Sequence, residues 1–294
     1  EAAIYDRLAD ALIGKIVNGG PQGLKKGEAV TREYLSKLKR DCSRIIGDIS
    51  EVVITVPANF NELARKSTIA ASEMAGMKVK RLVNEPTAAA VYYAHNQGVK
   101  GRILVFDLGG GTLDVTILEV KGDNIRILTS EGARHLGGAN FDEKLLDIYA
   151  EQYRKQVNAE LYTEERQRRR VLQAAEDAKK MLSKLQRVND TIGNDTHGIA
   201  RIDLTREQFE KIVSKLLTRA VMLVEQALAG VKLQPKDIDH VVLVGGSTRI
   251  PKVKTALEKF FGKAPKSCGN VDEAVALGAA LFAIDDADRA GDPG

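Results

Sequence analysis

The chain has 294 residues, of which 44% are hydrophobic and 29% charged, a composition typical of a folded protein with one large domain or two ordinary ones. Its formal net charge of +4 argues against a nucleic-acid partner, and no hydrophobic run reaches the roughly 18 residues that cross a membrane. The two cysteines, Cys42 and Cys268, have no metal-binding spacing, which favours a reducing compartment such as the cytoplasm.

The first third of the chain combines short β-branched runs with helical patterns. The β-branched runs predict strands at 52–56 and 79–83. Hydrophobic residues at helical spacing, together with capping residues at the ends, predict helices over 2–17, 31–47, 62–75 and 86–97. This alternation of strand and helix indicates an α/β protein.

The remainder of the chain continues the mixture. A β-meander is predicted over 103–131, a β-rich segment over 187–206 and a buried strand at 238–244. Helices are predicted over 141–155, 163–186, 206–229, 251–262 and 273–284, the last of them capped by Asp272. Residues 285–294 are polar, contain Gly and Pro, and are predicted to form a frayed tail.

The strongest local signal is the turn inside the meander. Gly109, Gly110 and Gly111 separate two β-rich runs, with Asp107 and Asp114 at the strand ends. Consecutive glycines leave backbone N–H groups bare and permit positive φ, so the turn can fold around an anion. Two carboxylates beside a phosphate cradle indicate a nucleotide with a divalent cation. The alternative is an ordinary tight hairpin with two solvent-facing aspartates.

Two further glycine pairs occupy similar positions. Gly137-Gly138 precedes a predicted helix, and Gly245-Gly246 follows the predicted strand 238–244, over a hundred residues after the hairpin. Glycine turns at strand ends converge when two similar lobes face each other across a cleft, which is where ligands usually bind. No G-x-x-x-x-G-K-[ST] phosphate loop, dinucleotide fingerprint or G-x-S-x-G motif is present, and the four histidines show no metal spacing.

Several longer motifs make the pattern specific. The segment 105–114 (VFDLGGGTLD) resembles the second phosphate loop of the 70-kilodalton heat-shock chaperone family, and 244–251 (VGGSTRIP) resembles its adenosine motif. Further matching motifs fall in the family's order at 54–60, 84–90, 135–138 and 272–280, so that the resemblance covers about 31–283. It implies an α/β actin-like, ribonuclease-H-like ATPase fold, with two lobes around a nucleotide cleft.

The resemblance implies roles for the hairpin residues. Backbone amides of Gly110 and Gly111 and the hydroxyl of Thr112 would hold the β- and γ-phosphates, with Gly109 in the same loop. Asp107 would position Mg²⁺ through water, and Asp114, Thr112 and Glu85 would complete the network around the attacking water. Catalysis would consist of positioning and charge stabilisation without a phospho-enzyme.

The resemblance also implies further nucleotide contacts. Those on the long helix and the turns before it are Gly137, Gly138, Glu176, Lys179, Lys180 and Ser183, and those of the adenosine motif and the following segment are Gly245, Gly246, Ser247, Arg249, Ile250 and Asp272. Pro57 and Arg65 match a pair that relays nucleotide state between domains. Without the family match, the charged residues of 176–183 would be an ordinary solvated helix face, Glu85 a helix cap and Pro57 a strand terminator.

Two departures from the family pattern limit the expectation. The sequence contains no first phosphate loop of the Ile-Gly-Ile-Asp-Leu-Gly-Thr-Thr type, so the first lobe is expected to be incomplete at its N-terminus. The expected division is 1–97 for the rest of that lobe, 98–136 and 215–284 for the second-lobe core, and 137–214 for a helical and β subdomain. No peptide-binding domain is expected within this chain.

Three functions remain open at this stage. The first is an ATP-binding and ATP-hydrolysing domain of a heat-shock-type chaperone, with ATP/ADP and Mg²⁺ as ligands and with a J-domain co-chaperone, a nucleotide-exchange factor and a peptide-binding domain as partners. The second is a weak or inactive nucleotide-sensing module that binds co-chaperones. The third is a filament-forming or sugar-kinase relative of the same superfamily. The expected location is the cytoplasm, or an organellar matrix.

Overall fold

The computed structural model describes residues 32–58, 60–122, 124–194, 198–269, 271 and 273–290. The predicted helix over 2–17 and the predicted cap and nucleotide contact Asp272 lie outside the described residues.

The described residues form helices and strands in an alternating order. The helices are α1 (Arg32–Ile46), α2 (Glu62–Met74), α3 (Glu85–Gln97), α4 (Gly138–Val157), α5 (Glu165–Leu182), α6 (Arg206–Gly230), α7 (Pro251–Phe261) and α8 (Ala274–Ala290). The strands are β1 (Glu51–Val56), β2 (Lys78–Asn84), β3 (Gly101–Leu108), β4 (Thr112–Lys121), β5 (Asn124–Arg134), β6 (Arg187–Asn194), β7 (Gly198–Thr205), β8 (His240–Val244) and β9 (Lys266–Ser267).

The main sheet has the order β5-β4-β3-β8-β9. The strands β3, β4 and β5 form the predicted antiparallel meander, whereas β8 runs parallel to β3 and β9 runs parallel to β8. The carboxyl ends of β3 and β8 therefore meet at one edge of the sheet, with Asp107 beside Val244 in register. This pairing brings the glycine hairpin and the adenosine-like motif to the same edge.

Both faces of this sheet are covered. On one face, Ile103 and Val105 pack with Ala89 and Tyr93 of α3. On the opposite face, Leu104, Phe106 and Leu108 join a larger core with the helices that follow, including Phe141 of α4 and Phe209 of α6. A strand buried on both faces reads as a continuous apolar run, which is the pattern of 103–106.

A separate two-stranded parallel sheet, β1 with β2, precedes α3. The strand β1 ends at Val56, opposite Asn84 at the end of β2, and α3 begins at the next residue, Glu85. Because strands in a parallel pair end at the same edge, the loop after β1 and the start of α3 lie side by side. Glu85 is therefore presented at the boundary between the two sheets.

The C-terminal helix connects elements from both predicted lobes. Its first residue, Ala274, packs with Val242 and Val244 of the main sheet, while Gly278 contacts Ala88 of α3. The guanidinium of Arg81 in β2 lies 4.9 Å from the ring centroid of Phe282. The helix thus bridges the two sheets, although the sequence-based division grouped its residues with the second lobe alone.

The segment 187–206 forms the antiparallel hairpin β6–β7, which packs on α4. Gln152 of α4 exchanges two hydrogen bonds of 2.9 Å with the backbone of Asp203, and the Tyr149 hydroxyl donates to Asp190 at 3.0 Å. The predicted β character of this segment is confirmed, and the resulting hairpin is attached to α4.

Helix boundaries differ from the predicted ones by three residues or more at three ends, one of which belongs to α5, which ends at Leu182 instead of 186. The helix α4 begins at Gly138 instead of 141, because the turn glycines pass directly into it. The predicted frayed tail from Asp285 is wrong for its first six residues, since α8 continues to Ala290. No proline or glycine interrupts this stretch before Gly291, and its alanines favour helix.

Candidate functional site

The glycine loop at 109–111 is stacked against the turn that opens α4. The N–H of Gly138 donates to the Gly109 carbonyl at 3.0 Å, and the N–H of Ala139 donates to the Gly110 carbonyl at 2.6 Å. A Cβ on Gly137 would lie 2.6 Å from both the carbonyl carbon of Gly110 and the nitrogen of Gly111. Only glycine fits at position 137, and two of the three predicted turns are thereby joined by backbone alone.

The third turn, which follows β8 at 245–247, contacts the same glycine loop. Gly245 has φ +85°, and a Cβ there would lie 2.6 Å from a carboxylate oxygen of Asp107. The Ser247 hydroxyl donates to the Gly109 carbonyl at 2.8 Å. Gly245, Gly246 and Ser247 therefore reach the glycine hairpin despite the more than 130 residues that separate them in sequence.

One charged side chain of α5, that of Lys179, lies at the junction where the three glycine turns meet. The Lys179 ammonium donates to the Gly138 carbonyl at 3.1 Å and to a carboxylate oxygen of Asp142 at 2.8 Å. Glu176 and Lys180 form an ion pair of 3.1 Å with each other on the outer face of α5. The Ser183 hydroxyl donates to the Lys179 carbonyl at 3.0 Å, within the end of the same helix. Of these four predicted residues, only Lys179 touches the glycine turns.

Three carboxyl groups form the other side of the junction. Asp107 and Asp114 are directly opposite each other in the β3–β4 register. Burial, followed by the negative charges of Asp107 and Asp114, raises the pKa of Glu85 to about 8. Burial also raises the pKa of Asp114 to about 6, against the opposing effect of a hydrogen bond with Thr112. The three groups therefore lie near one another and repel one another when ionised.

This carboxyl cluster has unused acceptor capacity. The Oδ1 atom of Asp114 is buried without a hydrogen-bond partner among the protein atoms. Within the described part of the chain, however, no three His, Cys, Asp or Glu side chains come close enough to hold a metal ion directly. Hard oxygen acceptors with excess negative charge suit a Mg²⁺ ion that keeps most of its water ligands.

Arg65 connects the loop after β1 to the start of α3. Its guanidinium donates to the carbonyls of Phe60 at 3.0 Å and Ala58 at 3.2 Å, and to the side-chain oxygen of Asn84 at 2.7 Å. Asn84 immediately precedes Glu85. Arg65, one member of the predicted pair Pro57 and Arg65, is therefore hydrogen-bonded to the residue that precedes Glu85 of the carboxyl cluster.

The remaining predicted contacts lie on the β8 side. Arg249 and Ile250 line a cavity of about 400 Å³ together with Lys254 and Ser267. The side chain of Ile250 is only 2% exposed and belongs to the larger hydrophobic core. Asp142 and Asn84 also lie at this site, although neither was among the predicted site residues; both lie within or beside the matching motifs. Their partners come from other elements, and no local pattern identifies them.

An α/β sheet whose strand-end glycine turns converge beside a carboxyl cluster fits the expected class of actin-like ATPase folds. The Hsp70 protein family model matches residues 17–285, so the chain belongs to the Hsp70 family, and the predicted fold class is confirmed. The match covers all three glycine turns and the carboxyl cluster.

Individual relatives are similar over most of the chain. It is 43% identical over 262 residues to the chaperone protein dnaK of Cyanophora paradoxa and 44% identical over 264 residues to the chaperone protein DnaK of Deinococcus deserti. It is also 43% identical over 262 residues to heat shock 70 kDa protein 6, chloroplastic, of Arabidopsis thaliana. Each alignment covers 87% of this chain but only 42%, 42% and 36% of the relative, respectively. No helix among the described residues is long and hydrophobic enough to cross a membrane.

Proposed function

We propose that this chain is the nucleotide-binding domain of a heat-shock-type chaperone, which binds ATP and ADP and hydrolyses ATP. The observation that carries the proposal is the convergence of three glycine turns, at 109–111, 137–138 and 245–246, on one junction beside Glu85, Asp107 and Asp114. Bare backbone amides next to acidic groups suit a polyphosphate with its cation. Membership of the Hsp70 family supports the same assignment.

The glycine loop would hold the phosphates. Gly110 and Gly111 offer backbone amides, and Thr112 offers a hydroxyl at the start of β4. Preorganised donors of this kind stabilise the charge of a transferring phosphoryl group without reorganising during the reaction. The packing of Gly137 against the loop keeps those amides in position before the ligand arrives.

The carboxyl cluster would serve the metal and the attacking water. Bound Mg²⁺ would neutralise phosphate charge, held by Asp107 through water molecules. Asp114 and Glu85 have pKa values raised to about 6 and about 8. A carboxyl group that titrates near neutral pH can accept a proton from an ordered water molecule and later give it back.

The nucleoside would lie between α5 and the turn after β8. The ribose and the adenine would be contacted by Glu176, Lys179, Lys180 and Ser183, with Lys179, which bonds to the 137–138 turn, on the ribose side. Arg249 would stack on the purine, which suits its planar guanidinium. The remaining contacts of this proposed set are Gly138, Gly245, Gly246, Ser247, Ile250 and Asp272.

The role of this domain within the whole protein is proposed from its membership of the Hsp70 family. The chain spans less than half the length of the curated relatives that it matches. The nucleotide state would control a peptide-binding domain, with Pro57 and Arg65 in the relay, and a J-domain co-chaperone and a nucleotide-exchange factor would set its rate. A cytoplasmic or organellar location is consistent with relatives such as the chloroplastic Arabidopsis protein.

Calorimetric titration of Mg²⁺-ADP and Mg²⁺-ATP, with single-turnover hydrolysis, tests the proposal. Micromolar or tighter binding and measurable phosphate release are expected. Asp107→Asn should abolish release, whereas the exposed Asp147→Asn on α4 should leave it unchanged. A chain that is folded by circular dichroism but binds neither nucleotide would refute the proposal. Binding without release would replace it with the nucleotide-sensing alternative.

A further inference from the structure

Asp142, on the second turn of α4, is buried at the back of the proposed site. Its two carboxylate oxygens lie 2.7 and 2.8 Å from the Lys179 ammonium. The side chains of Asp142 and Lys179 are only 9% and 11% exposed. The ammonium also donates to the Gly138 carbonyl at 3.1 Å, so one buried cation joins α4, α5 and the 137–138 turn.

We infer that Asp142 is a positioning residue for the ribose of the bound nucleotide, acting through the Lys179 ammonium. This inference rests on the proposed function, in which Lys179 contacts a ribose hydroxyl. An ammonium has three donors. Asp142 and Gly138 use two of them, which leaves one to point at a ligand. A flexible four-carbon side chain needs such partners to hold its donor in one direction.

Of the charged groups around Lys179, Asp142 is the one that holds its ammonium. Glu176 and Lys180 also face the carboxylate from α5, but they pair with each other at 3.1 Å on the more exposed side of the helix. Lys179 has no such exposed alternative, because its ammonium is buried against Gly138. Removing the charge of Asp142 would leave a buried cation without its counterion, which would then move out or lose its proton.

A ligand comparison separates this role from a structural one. The Kd values of ADP and of 2′,3′-dideoxy-ADP, both with Mg²⁺, are measured by calorimetry for the wild type and for Asp142→Asn. The substitution should weaken ADP binding by about tenfold, the scale of one charge-assisted hydrogen bond. It should change dideoxy-ADP binding by less than about twofold, since that ligand has no hydroxyl for the third donor.

The control is Asp147→Asn, which removes the same charge from an exposed position on the same helix and should affect neither ligand. Equal losses for ADP and dideoxy-ADP, or no loss for either, would overturn the inference while leaving the proposed function intact. Failure of the wild type to bind ADP would overturn both.

A second variant keeps the test decisive if Asp142→Asn does not fold. Asp142→Glu keeps the charge but displaces it by one methylene, so it should show a smaller loss that is again confined to ADP. A loss shared by both ligands in that variant would also overturn the inference.

Discussion

The helices α8 and α3 cross with Gly278 packed directly against the backbone of Ala88. A Cβ on Gly278 would lie 1.8 Å from the Ala88 carbonyl oxygen and 2.9 Å from its Cα. The two helices are far apart in sequence, at 85–97 and 274–290, and α3 carries Glu85 at its first position. This contact therefore attaches the C-terminal helix to the element that presents one of the proposed site carboxyl groups.

The crossing leads to a prediction about stability. Gly278→Ala should lower the free energy of unfolding by about 1–3 kcal/mol, because the added methyl group forces the helices apart. Gly230→Ala is the matched control, since nothing lies within 4 Å of a Cβ at that helical position. Urea unfolding measures both variants. An unchanged midpoint for Gly278→Ala would contradict the contact.

The packing of the 137–138 turn gives a prediction about ligand binding. Gly137→Ala would place a methyl group 2.6 Å from the backbone of Gly110 and Gly111, so the glycine loop must move. Mg²⁺-ADP affinity should fall at least about tenfold, which corresponds to the loss of one or two good phosphate hydrogen bonds. At Gly109 the nearest atom to an added Cβ is 3.6 Å away, so Gly109→Ala should cost far less. Comparable losses in the two variants would argue against a steric cause.

The raised pKa of Glu85 gives a prediction about pH. A carboxyl group whose pKa rises from 4.5 to about 8 on folding binds protons more readily in the folded state. In the unfolded chain this carboxyl group loses its proton above about pH 4.5, whereas in the folded protein it keeps the proton up to about pH 8. The free energy of unfolding therefore falls progressively as the pH rises from about 4.5 to 8. Glu85→Gln should stabilise the protein at pH 8, by at least about 1.4 kcal/mol, the equivalent of one pKa unit, and should have little effect at pH 4.

Urea unfolding at both pH values measures this effect. Glu62→Gln on α2 serves as the control, because that side chain is 80% exposed and pairs with Lys66 at the surface. A gain from Glu85→Gln that is the same at both pH values would show that ionisation is not its cause.

The contacts of Arg65 give a prediction about local opening. Arg65→Lys keeps the charge but cannot reach the carbonyls of Ala58 and Phe60 and the Asn84 side chain together. Amide hydrogen exchange should accelerate in the loop after β1 and at the start of α3. The neighbouring Lys66→Ala, whose side chain is exposed, should leave both segments unchanged. Protection equal to the wild type in Arg65→Lys would count against a link between the two segments.

The sequence alone was sufficient for the features that depend on short stretches of chain. The triple glycine between Asp107 and Asp114 predicted the hairpin, and helical and strand periodicities predicted most elements to within a few residues. The tail was the main exception. Its polar residues suggested fraying, yet α8 continues to Ala290 because no helix breaker intervenes. Periodicity and turn chemistry are local properties, and residues close in sequence encode them.

Only the tertiary structure decided which distant groups meet. Asp142 and Lys179 are 37 residues apart, and neither the spacing nor the composition of α4 and α5 indicates that they pair in a buried site. The same is true of Ser247 on the Gly109 carbonyl and of Gly278 against Ala88. These contacts depend on which helix face packs against which sheet, a choice made by burial across the whole chain. The sequence thus determined the elements and the glycine turns that are proposed to bind phosphate, whereas long-range packing determined the partners, the burial and the pKa values of the site.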